Sequence, residues 1–358
     1  MYNIMELVIA FIISSMVAFG STPLVKKLAI KLNAVDIPDE DRKQHEEIKA
    51  SLGGISIVIG VAAGLFYLQP EHPHMLELII GGLIIFATGL IDDLIGLKAY
   101  QKLIGQVGAA LVVASSGLMI DKLTMPFLGT VHFDNFAFIL TILWVVGVSN
   151  AINLIDGLDG LAAGVSAIGL TSILIIAITD YRMIVVYLGI ILVGSCLGFL
   201  YHNFYPARIF MGDTGALFLG YSIAVISMLG LFKNVALFSF IIPIIVIAVP
   251  IFDTMFAIIR RMINRQSIGK ADHKHIHHQL VEMGYSHSTA VLIIYAFSAF
   301  FGMMAIIFNS ATMLTSLIII AFIILGIQII AELSGIVFNG QKPILTSLKK
   351  LVGKNQRI

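Results

Sequence analysis

Charged residues are scarce in this chain: only 12% of its 358 residues are Asp, Glu, Lys or Arg, about half of the roughly 25% found in soluble domains. Hydrophobic residues make up 58%, and the mean hydropathy is +0.99. Apolar runs close to the ~20 residues that cross a bilayer as helix recur without the alternating pattern of barrel strands. This composition excludes a soluble globular protein and predicts an all-α integral membrane protein.

Cysteine pairs, a signal peptide and repeats are also missing. The single cysteine, Cys196, cannot form an intrachain disulfide and is expected to be a buried spacer. Residues 1–20 have no basic n-region and no cleavage site, so a retained first helix is expected. No soluble domain is evident, and no nucleic-acid partner is expected. The chain is divided into a polytopic domain, residues 1–333, and a basic cytoplasmic tail, residues 334–358.

About eleven transmembrane helices are predicted from the apolar runs. The ninth contains Pro243 and Pro250, so a kink is expected there. The predicted spans are residues 4–22, 52–69, 77–91, 102–120, 136–153, 161–179, 184–201, 215–232, 236–258, 290–308 and 315–333.

Lysine and arginine give the orientation, because cytoplasmic loops are enriched in them. With the N-terminus outside, 19 of the 22 Lys and Arg residues lie inside, and only Lys122, Arg182 and Lys233 lie outside. The net charge of +1 therefore conceals a polarised molecule whose N-terminus is outside and whose C-terminus is cytoplasmic.

Acidic and amide side chains collect at the predicted cytoplasmic ends of the spans. A lone acidic pair there can be a solvated helix end, and buried amides often join helices. Asp253, inside the ninth span, is harder to dismiss, because intramembrane carboxylates are costly and usually functional. The other candidates are Asp92 and Asp93 in "GLIDDLIGLKAY", Asn150, Asn153, Asp156 and Asp159 in "SNAINLIDGLDGLAAG", and Asn203, Arg208 and Asp213 in "NFYPARIFMGDTGALFLG".

The loop after the ninth span is rich in histidine and basic residues. His273 and His277 have the i, i+4 spacing of a zinc site, but no Cys or HExxH pattern supports one. An anion-binding surface is the better interpretation, and a solvated loop near anionic lipid is the alternative. The residues concerned are Arg260, Arg261, Arg265, Lys270, Lys274, His273, His275, His277 and His278.

Glycines flank the carboxylates in "DGLDG" and "GDTG". Glycine lets backbone N–H groups approach a ligand closely. Carboxylates beside such backbone suggest Mg²⁺ shared with substrate phosphates, because Mg²⁺ usually takes only one or two protein carboxylates. Aspartates for a metal and Arg, Lys and His for phosphates are the components of phosphoryl transfer.

The ordered set "RKQHEEIKASLGG", "DD", "NAINLIDGLDGL", "IFMGDTGAL" and "HIHH" resembles the polyprenyl-phosphate N-acetylhexosamine-1-phosphate transferases over residues 20–290. The similarity is greatest to the branch that begins wall teichoic acid linkage-unit synthesis. One departure lies in the first loop, where Ala50, Ser51 and Leu52 stand before the glycine pair in place of the family's usual proline.

The resemblance implies transfer of N-acetylglucosamine-1-phosphate from UDP-N-acetylglucosamine to undecaprenyl phosphate at the cytoplasmic face, with Mg²⁺ required and Mn²⁺ a substitute. It implies that Asp92 or Asp93 deprotonates or positions the lipid phosphate, and that Asp156 and Asp159 share the catalytic site. The metal ligands it implies are Asp213, Asp93 and Asn153. The substrate-binding residues it implies are Arg42, His45, Asn150, Asn153, Asn203, Arg260, Arg261, His275, His277 and His278.

Several alternatives stay open at this point. Within the family, the runner-up is transfer from UDP-N-acetylmuramoyl-pentapeptide, whose enzymes typically carry three successive histidines where this chain has "HIHH". An ion-coupled transporter would place its site near the midplane between repeats. A prenyltransferase would need a DDxxD motif, but Gly96 holds the fifth position of "DDLIG". A homodimer remains an alternative to a monomer.

Overall fold

The computed structural model of the protein describes residues 3–36, 49–125, 129–134, 136–230, 241–266 and 275–334. These residues form thirteen helices and two small antiparallel sheets. The helices are α1 (Ile4–Lys31), α2 (Gly54–Leu68), α3 (Met75–Ile95), α4 (Ala99–Ser115), α5 (Phe136–Ile155), α6 (Leu161–Thr179), α7 (Met183–Asn203), α8 (Gly212–Gly230), α9 (Ile241–Val246), α10 (Ala248–Ile263), α11 (Ile276–Glu282), α12 (His287–Asn309) and α13 (Met313–Leu333). The strands are β1 (Val35–Asp36), β2 (Lys49–Ala50), β3 (Lys122–Met125) and β4 (Gly129–His132).

Within the described part of the chain, eight helices are long and apolar enough to cross a membrane: α1, α3, α5, α6, α7, α8, α12 and α13. They confirm a mostly helical membrane protein. Helices α2 and α4 also lie at predicted spans but have 15 and 17 residues, and 17 helical residues rise only about 26 Å. The number of eleven crossing helices and the orientation of the termini stay predictions.

The kink predicted in the ninth span is confirmed as a break at Ile247. Helix α9 ends one residue before it, and α10 begins one residue after it. Pro250 falls in the first turn of α10, where a backbone N–H has no intrahelical partner, so the proline is tolerated there and interrupts the helix before it. The break makes α10 a separate helix. The beginning of this predicted span, residues 236–240, lies outside the described residues.

Two features differ from the sequence predictions: the length of α1 and the presence of two small sheets. Helix α1 does not end near residue 22, because its buried face continues through Thr22, Val25 and Ala29 at helical spacing. The two sheets were not predicted at all. Strand β1 pairs with β2, and β3 pairs with β4, and segments of two to four residues are too short to show a period in hydropathy. The tail beyond Ser334 lies outside the described residues.

Helix α8 lies at the centre of the described bundle, since every residue from Thr214 to Gly230 is buried. Helices α3 and α5 pack along it, and the start of α2 crosses its first turn. A Cβ atom on Gly54 would lie 2.1 Å from the backbone nitrogen of Gly215, so the two backbones touch. The N–H of Gly54 also donates to the carbonyl of Met211 (2.8 Å). These contacts fix the first turn of α8, where the candidate site lies.

Candidate active site

Asp93, in the last turn of α3, accepts hydrogen bonds from the first turn of α8. Its Oδ1 accepts a hydrogen bond from the N–H of Asp213 (2.8 Å), and its Oδ2 accepts from the N–H (2.9 Å) and the hydroxyl (2.5 Å) of Thr214. First-turn N–H groups have no partner within the helix, and the helix dipole favours a carboxylate there. Gly212 precedes this turn with φ +72°, a conformation that favours glycine. Asp93 thereby fixes the position of Asp213.

Lys102, in the first turn of α4, joins Asp92 to Asp213. Its Nζ contacts Oδ2 of both carboxylates. Asp92 Oδ1 also accepts a hydrogen bond from the N–H of Leu97 (2.6 Å), in the loop between α3 and α4. All three charged side chains are half-buried, so each keeps access to a ligand. A cation at this meeting point of three helices is suited to bind a phosphate group.

The turn between α5 and α6 faces the same cluster. Burial, followed by the nearby carboxylates of Asp213, Asp93 and Asp159, raises the pKa of Asp156 to about 8. One turn earlier, the Nδ2 atom of Asn153 is buried and has no hydrogen-bond partner. A buried amide end without a partner is costly, which is what a side chain reserved for a ligand would show. The structure therefore brings Asp156 towards Asp93 and Asp213, as the sequence predicted.

The side chain and the backbone N–H of Asp159, at the end of this turn, both bond to other parts of the protein. Its Oδ2 accepts from the N–H of Ala207 (2.8 Å) and forms an ion pair with Lys49 (3.4 Å). Its own N–H donates to His287 Nε2 (2.8 Å), and the ring of His287 stacks on Tyr205. This buried carboxylate joins three loops and the start of α12, so its contacts are those of an anchor for the turn.

The histidines of α11 pack against the aspartate turn. The ring of His277 lies beside Gly157, because a Cβ atom on that glycine would lie 2.2 Å from His277 Nε2. His277 is 2% exposed, and its Nδ1 has no hydrogen-bond partner. Burial, with His278, His275 and His287 nearby, holds its pKa well below the usual value, so the ring is neutral. Neutral His277 can donate from one nitrogen and accept at the other.

Gly157→Ala tests this packing. The added methyl would overlap the His277 ring, and we expect turnover to fall about 10- to 100-fold, since a displacement near 1 Å can cost that much. The matched control is Gly20→Ala in α1, where a Cβ atom would meet nothing within 4 Å. Steady-state rates of the two variants in the same detergent check the prediction, and equal rates would contradict it.

The remaining predicted site residues have other partners or lie outside the described residues. Asn150 donates to Gln106 Oε1 (2.6 Å) and to the carbonyl of Val146 (2.8 Å), which joins α5 to α4. Asn203 donates to the carbonyl of Ile209 (3.0 Å), while its Oδ1 is buried without a hydrogen-bond partner. In α10, Arg260 donates to the carbonyl of Ser334 (2.8 Å), and Arg261 is buried. Arg42 and His45 are outside the described residues.

Four residues of the site were not singled out from the sequence as site residues. Lys49 and Lys102 were counted only as cytoplasmic loop charges, and Thr214 and His287 were not considered. The available signals were the position of Lys102 at the very start of an apolar run and of Thr214 inside "GDTG". Neither signal identifies a partner, because, apart from the Lys102–Asp92 pair, the contacts join residues more than 100 positions apart.

Mg²⁺ fits the residues of this cluster. In the described part of the chain, no three His, Cys, Asp or Glu side chains form a ready-made metal cage, but Mg²⁺ commonly completes its shell from substrate phosphates and water. Asp92 and Asp213 share the ammonium group of Lys102, and the carboxyl groups of Asp93 and Asp156 lie close to Asp213. The donors are oxygen atoms, which suit a hard cation. The crowding of carboxyl groups around one ammonium group, which adds to burial in raising the pKa of Asp156, is the observation that supports a divalent ion here.

The segment that carries the aspartate cluster matches the model of a known protein family. The model of glycosyl transferase family 4 matches residues 75–231, from the start of α3 to the end of α8. The chain is also 47% identical, over 356 residues and 99% of each chain, to a curated protein of Bacillus subtilis. The chain therefore belongs to glycosyl transferase family 4.

Three curated relatives of this chain have names that describe related transferases. The Bacillus subtilis protein is a probable undecaprenyl-phosphate N-acetylglucosaminyl 1-phosphate transferase. A decaprenyl-phosphate N-acetylglucosaminephosphotransferase of Mycobacterium leprae is 35% identical over 322 residues, 81% of this chain and 80% of the relative. A phospho-N-acetylmuramoyl-pentapeptide-transferase of Levilactobacillus brevis is 36% identical over 212 residues, 54% of this chain and 66% of the relative.

Proposed function

We propose that the protein transfers N-acetylglucosamine-1-phosphate from UDP-N-acetylglucosamine to undecaprenyl phosphate. An oxygen of the lipid phosphate attacks the sugar-linked phosphorus, the bond from that phosphorus to the bridging oxygen breaks, and UMP leaves. One phosphoanhydride replaces another, so no ATP is needed. The observation that carries the proposal is the meeting of four carboxylates and Lys102 around the first turn of α8.

Within the cluster, some side chains hold the fold in place and others bind ligands. Asp93 holds the first turn of α8, which leaves Asp213 pointing at Lys102. Lys102, placed by Asp92, binds a phosphate oxygen of the acceptor or donor and offsets charge that accumulates during transfer. Two anionic substrates held side by side supply the proximity that direct attack requires.

Opposite this cluster, the turn and the histidine helix contact the donor. Asn153 and Asp156 face the nucleotide diphosphate, and His275, His277 and His278 contact its phosphates or sugar. The neutral ring of His277, buried beside Gly157, donates a hydrogen bond without adding charge. Of the metal ligands predicted from the sequence, Asp213 and Asn153 would hold Mg²⁺, with Asp92 in place of Asp93, whose two oxygens accept from the first turn of α8. When bound, Mg²⁺ would neutralise the two phosphates and polarise the phosphorus that is attacked.

An apolar groove between α5 and α10 suits the isoprenoid chain of the acceptor. Its volume is about 300 Å³, and its lining residues come from these two helices. Ala151 lies at its end nearest Asn153, so a chain in the groove would bring its phosphate towards the aspartate turn. The groove is lined by Leu143, Trp144, Val148, Ala151, Ile251 and Ile258, among others.

The setting of this reaction is the cytoplasmic leaflet of the bacterial plasma membrane. The Lys and Arg distribution supports an outside N-terminus, a cytoplasmic C-terminus and eleven crossing helices, with the aspartate cluster at the inner edge. The product feeds wall teichoic acid or a related envelope polymer. The lipid bilayer thus surrounds the protein and supplies the acceptor. A homodimer is compatible with this arrangement.

Donor choice is the decisive experiment. Purified protein is given undecaprenyl phosphate, Mg²⁺ and either UDP-N-acetylglucosamine or UDP-N-acetylmuramoyl-pentapeptide. We expect only the first donor to yield a lipid-linked sugar and UMP in equal amounts. Preference for the pentapeptide donor would overturn the donor assignment. Undecaprenyl phosphate left unmodified by both donors would overturn the transferase assignment.

A further inference from the structure

Asp253 is a buried carboxylate for which the proposed reaction assigns no role. It lies in α10 and is 3% exposed. Its Oδ2 bonds to His275 Nδ1 (2.8 Å), and its Oδ1 accepts from the N–H of Ile276 (3.0 Å). An ionised carboxylate only accepts hydrogen bonds, so the proton of this contact belongs to Nδ1. Both oxygens of Asp253 are therefore committed to the start of α11.

These two bonds determine where α11 begins. His275 is the residue before the helix, and the N–H of Ile276 is one of the first-turn donors that lack an intrahelical partner. A carboxylate at this end also interacts favourably with the helix dipole. The pair is buried, His275 being 4% exposed, so its bonds do not compete with bulk water.

The same helix carries the histidines that meet the aspartate turn. The ring of His275 is parallel to that of His277, with centroids 5.9 Å apart, and the rings of His277 and His278 are 4.1 Å apart. His277 in turn lies against Gly157. A chain of contacts thus runs from Asp253 in α10 through His275 and His277 to the turn that holds Asp156.

We propose that Asp253 is a positioning residue: by holding His275 Nδ1 and the Ile276 N–H, it fixes α11 so that its histidines face the aspartate turn. This inference rests on the proposed function for its effect on turnover. It does not require Asp253 to touch either substrate. Carboxylates that orient a histidine through Nδ1 are a general device for fixing its tautomer and direction.

A mutant cycle tests the role in turnover. Asp253→Asn should lower kcat about 10- to 100-fold, as loss of an orienting partner does, with little change in the KM for UDP-N-acetylglucosamine. His275→Ala should lower kcat at least as much, because it also removes a proposed contact with the donor. The double variant should be no slower than His275→Ala alone, because both changes interrupt one chain of contacts. The control is Glu282→Gln, which removes an exposed carboxylate of α11 that bonds to Gln279 of the same helix. Wild-type kcat in Asp253→Asn, multiplicative losses, or an equal loss in the control would overturn the proposal.

A second measurement does not depend on which substrate is used. Cys196 is fully buried, so a nitroxide attached at Val281→Cys, an exposed position on α11, reports the motion of that helix. Asp253→Ala removes both bonds and should narrow the electron paramagnetic resonance spectrum of the Val281 label, because α11 moves more freely. The spectrum of a label at Leu24→Cys on α1 should be unaffected. A Val281 label equally immobile with and without Asp253 would refute the positioning role even if the transferase assignment stands. A mobile label in a protein inactive towards every donor would sustain the positioning role and refute the transferase assignment alone.

Discussion

Asp213→Asn should abolish transfer, with kcat lower by on the order of 10³-fold, the loss typical of a group that stabilises developing charge. Asp213 is the carboxylate that Lys102 contacts and that Asp93 places through the first turn of α8. The amide keeps the size of the side chain but loses the charge that binds both Lys102 and a metal. Its N–H bond to Asp93 is a backbone contact and survives the change. Release of UMP by the purified variant measures the effect.

The control for this prediction is Asp121→Asn, the same change at an exposed carboxylate in the loop after α4. Both variants should insert into membranes and elute from a sizing column like the wild type. Turnover of Asp213→Asn within a few fold of that of Asp121→Asn would show that the cluster around α8 does not perform the chemistry. A misfolded Asp213→Asn would instead appear in the elution profile.

The membrane helices were largely predictable, because bilayer thickness imposes a length and composition that hydropathy detects. Eight predicted spans coincide with helices of suitable length and apolarity, and the paired prolines located the break at Ile247. The far end of α1 was not predicted. Its lysines read as the end of a span, yet Val25 and Ala29 keep one face packed. Hydropathy averages over a window and does not resolve a single buried face.

The sequence indicated which carboxylates meet but did not show how they divide their tasks. Asp92, Asp93, Asp156 and Asp213 were grouped from topology, and the structure brings them together around α8. The prediction could not foresee that Asp93 binds backbone N–H groups. That bond depends on the close approach of two helices whose residues lie about 120 positions apart in sequence.

The role of Lys102 was not predicted, for a related physical reason. In a sequence, Lys102 is a positive charge at a membrane edge, where such charges are common. Its role follows only from the packing of α4 beside α3, which places its ammonium between the carboxylates of Asp92 and Asp213. A long flexible side chain reaches partners that no spacing rule identifies. Lys49, which pairs with Asp159, was overlooked in the same way.

The charge balance that results leads to the strongest prediction. Asp93 and Asp159 are satisfied by backbone N–H groups. Asp92 and Asp213 share Lys102 as their cation, and Asp156 lies close to Asp213 and Asp93. Two anionic substrates would add further negative charge to the same space. Like charges this close repel one another strongly in a partly buried site. The protein alone does not neutralise the complex, so we expect a divalent ion to enter with the substrates.

Removing divalent ions with EDTA should therefore reduce transfer to about 1% or less, the loss expected when the main neutralising charge is withdrawn. Added Mg²⁺, or Mn²⁺, should restore the rate, since both accept oxygen ligands, whereas Na⁺ at equal ionic strength should not. Mn²⁺ bound to the protein is detected directly by its paramagnetic signal, which Asp213→Asn should weaken and Asp121→Asn should leave intact. Full transfer in EDTA would leave Lys102 as the neutralising group and would remove the metal from the mechanism.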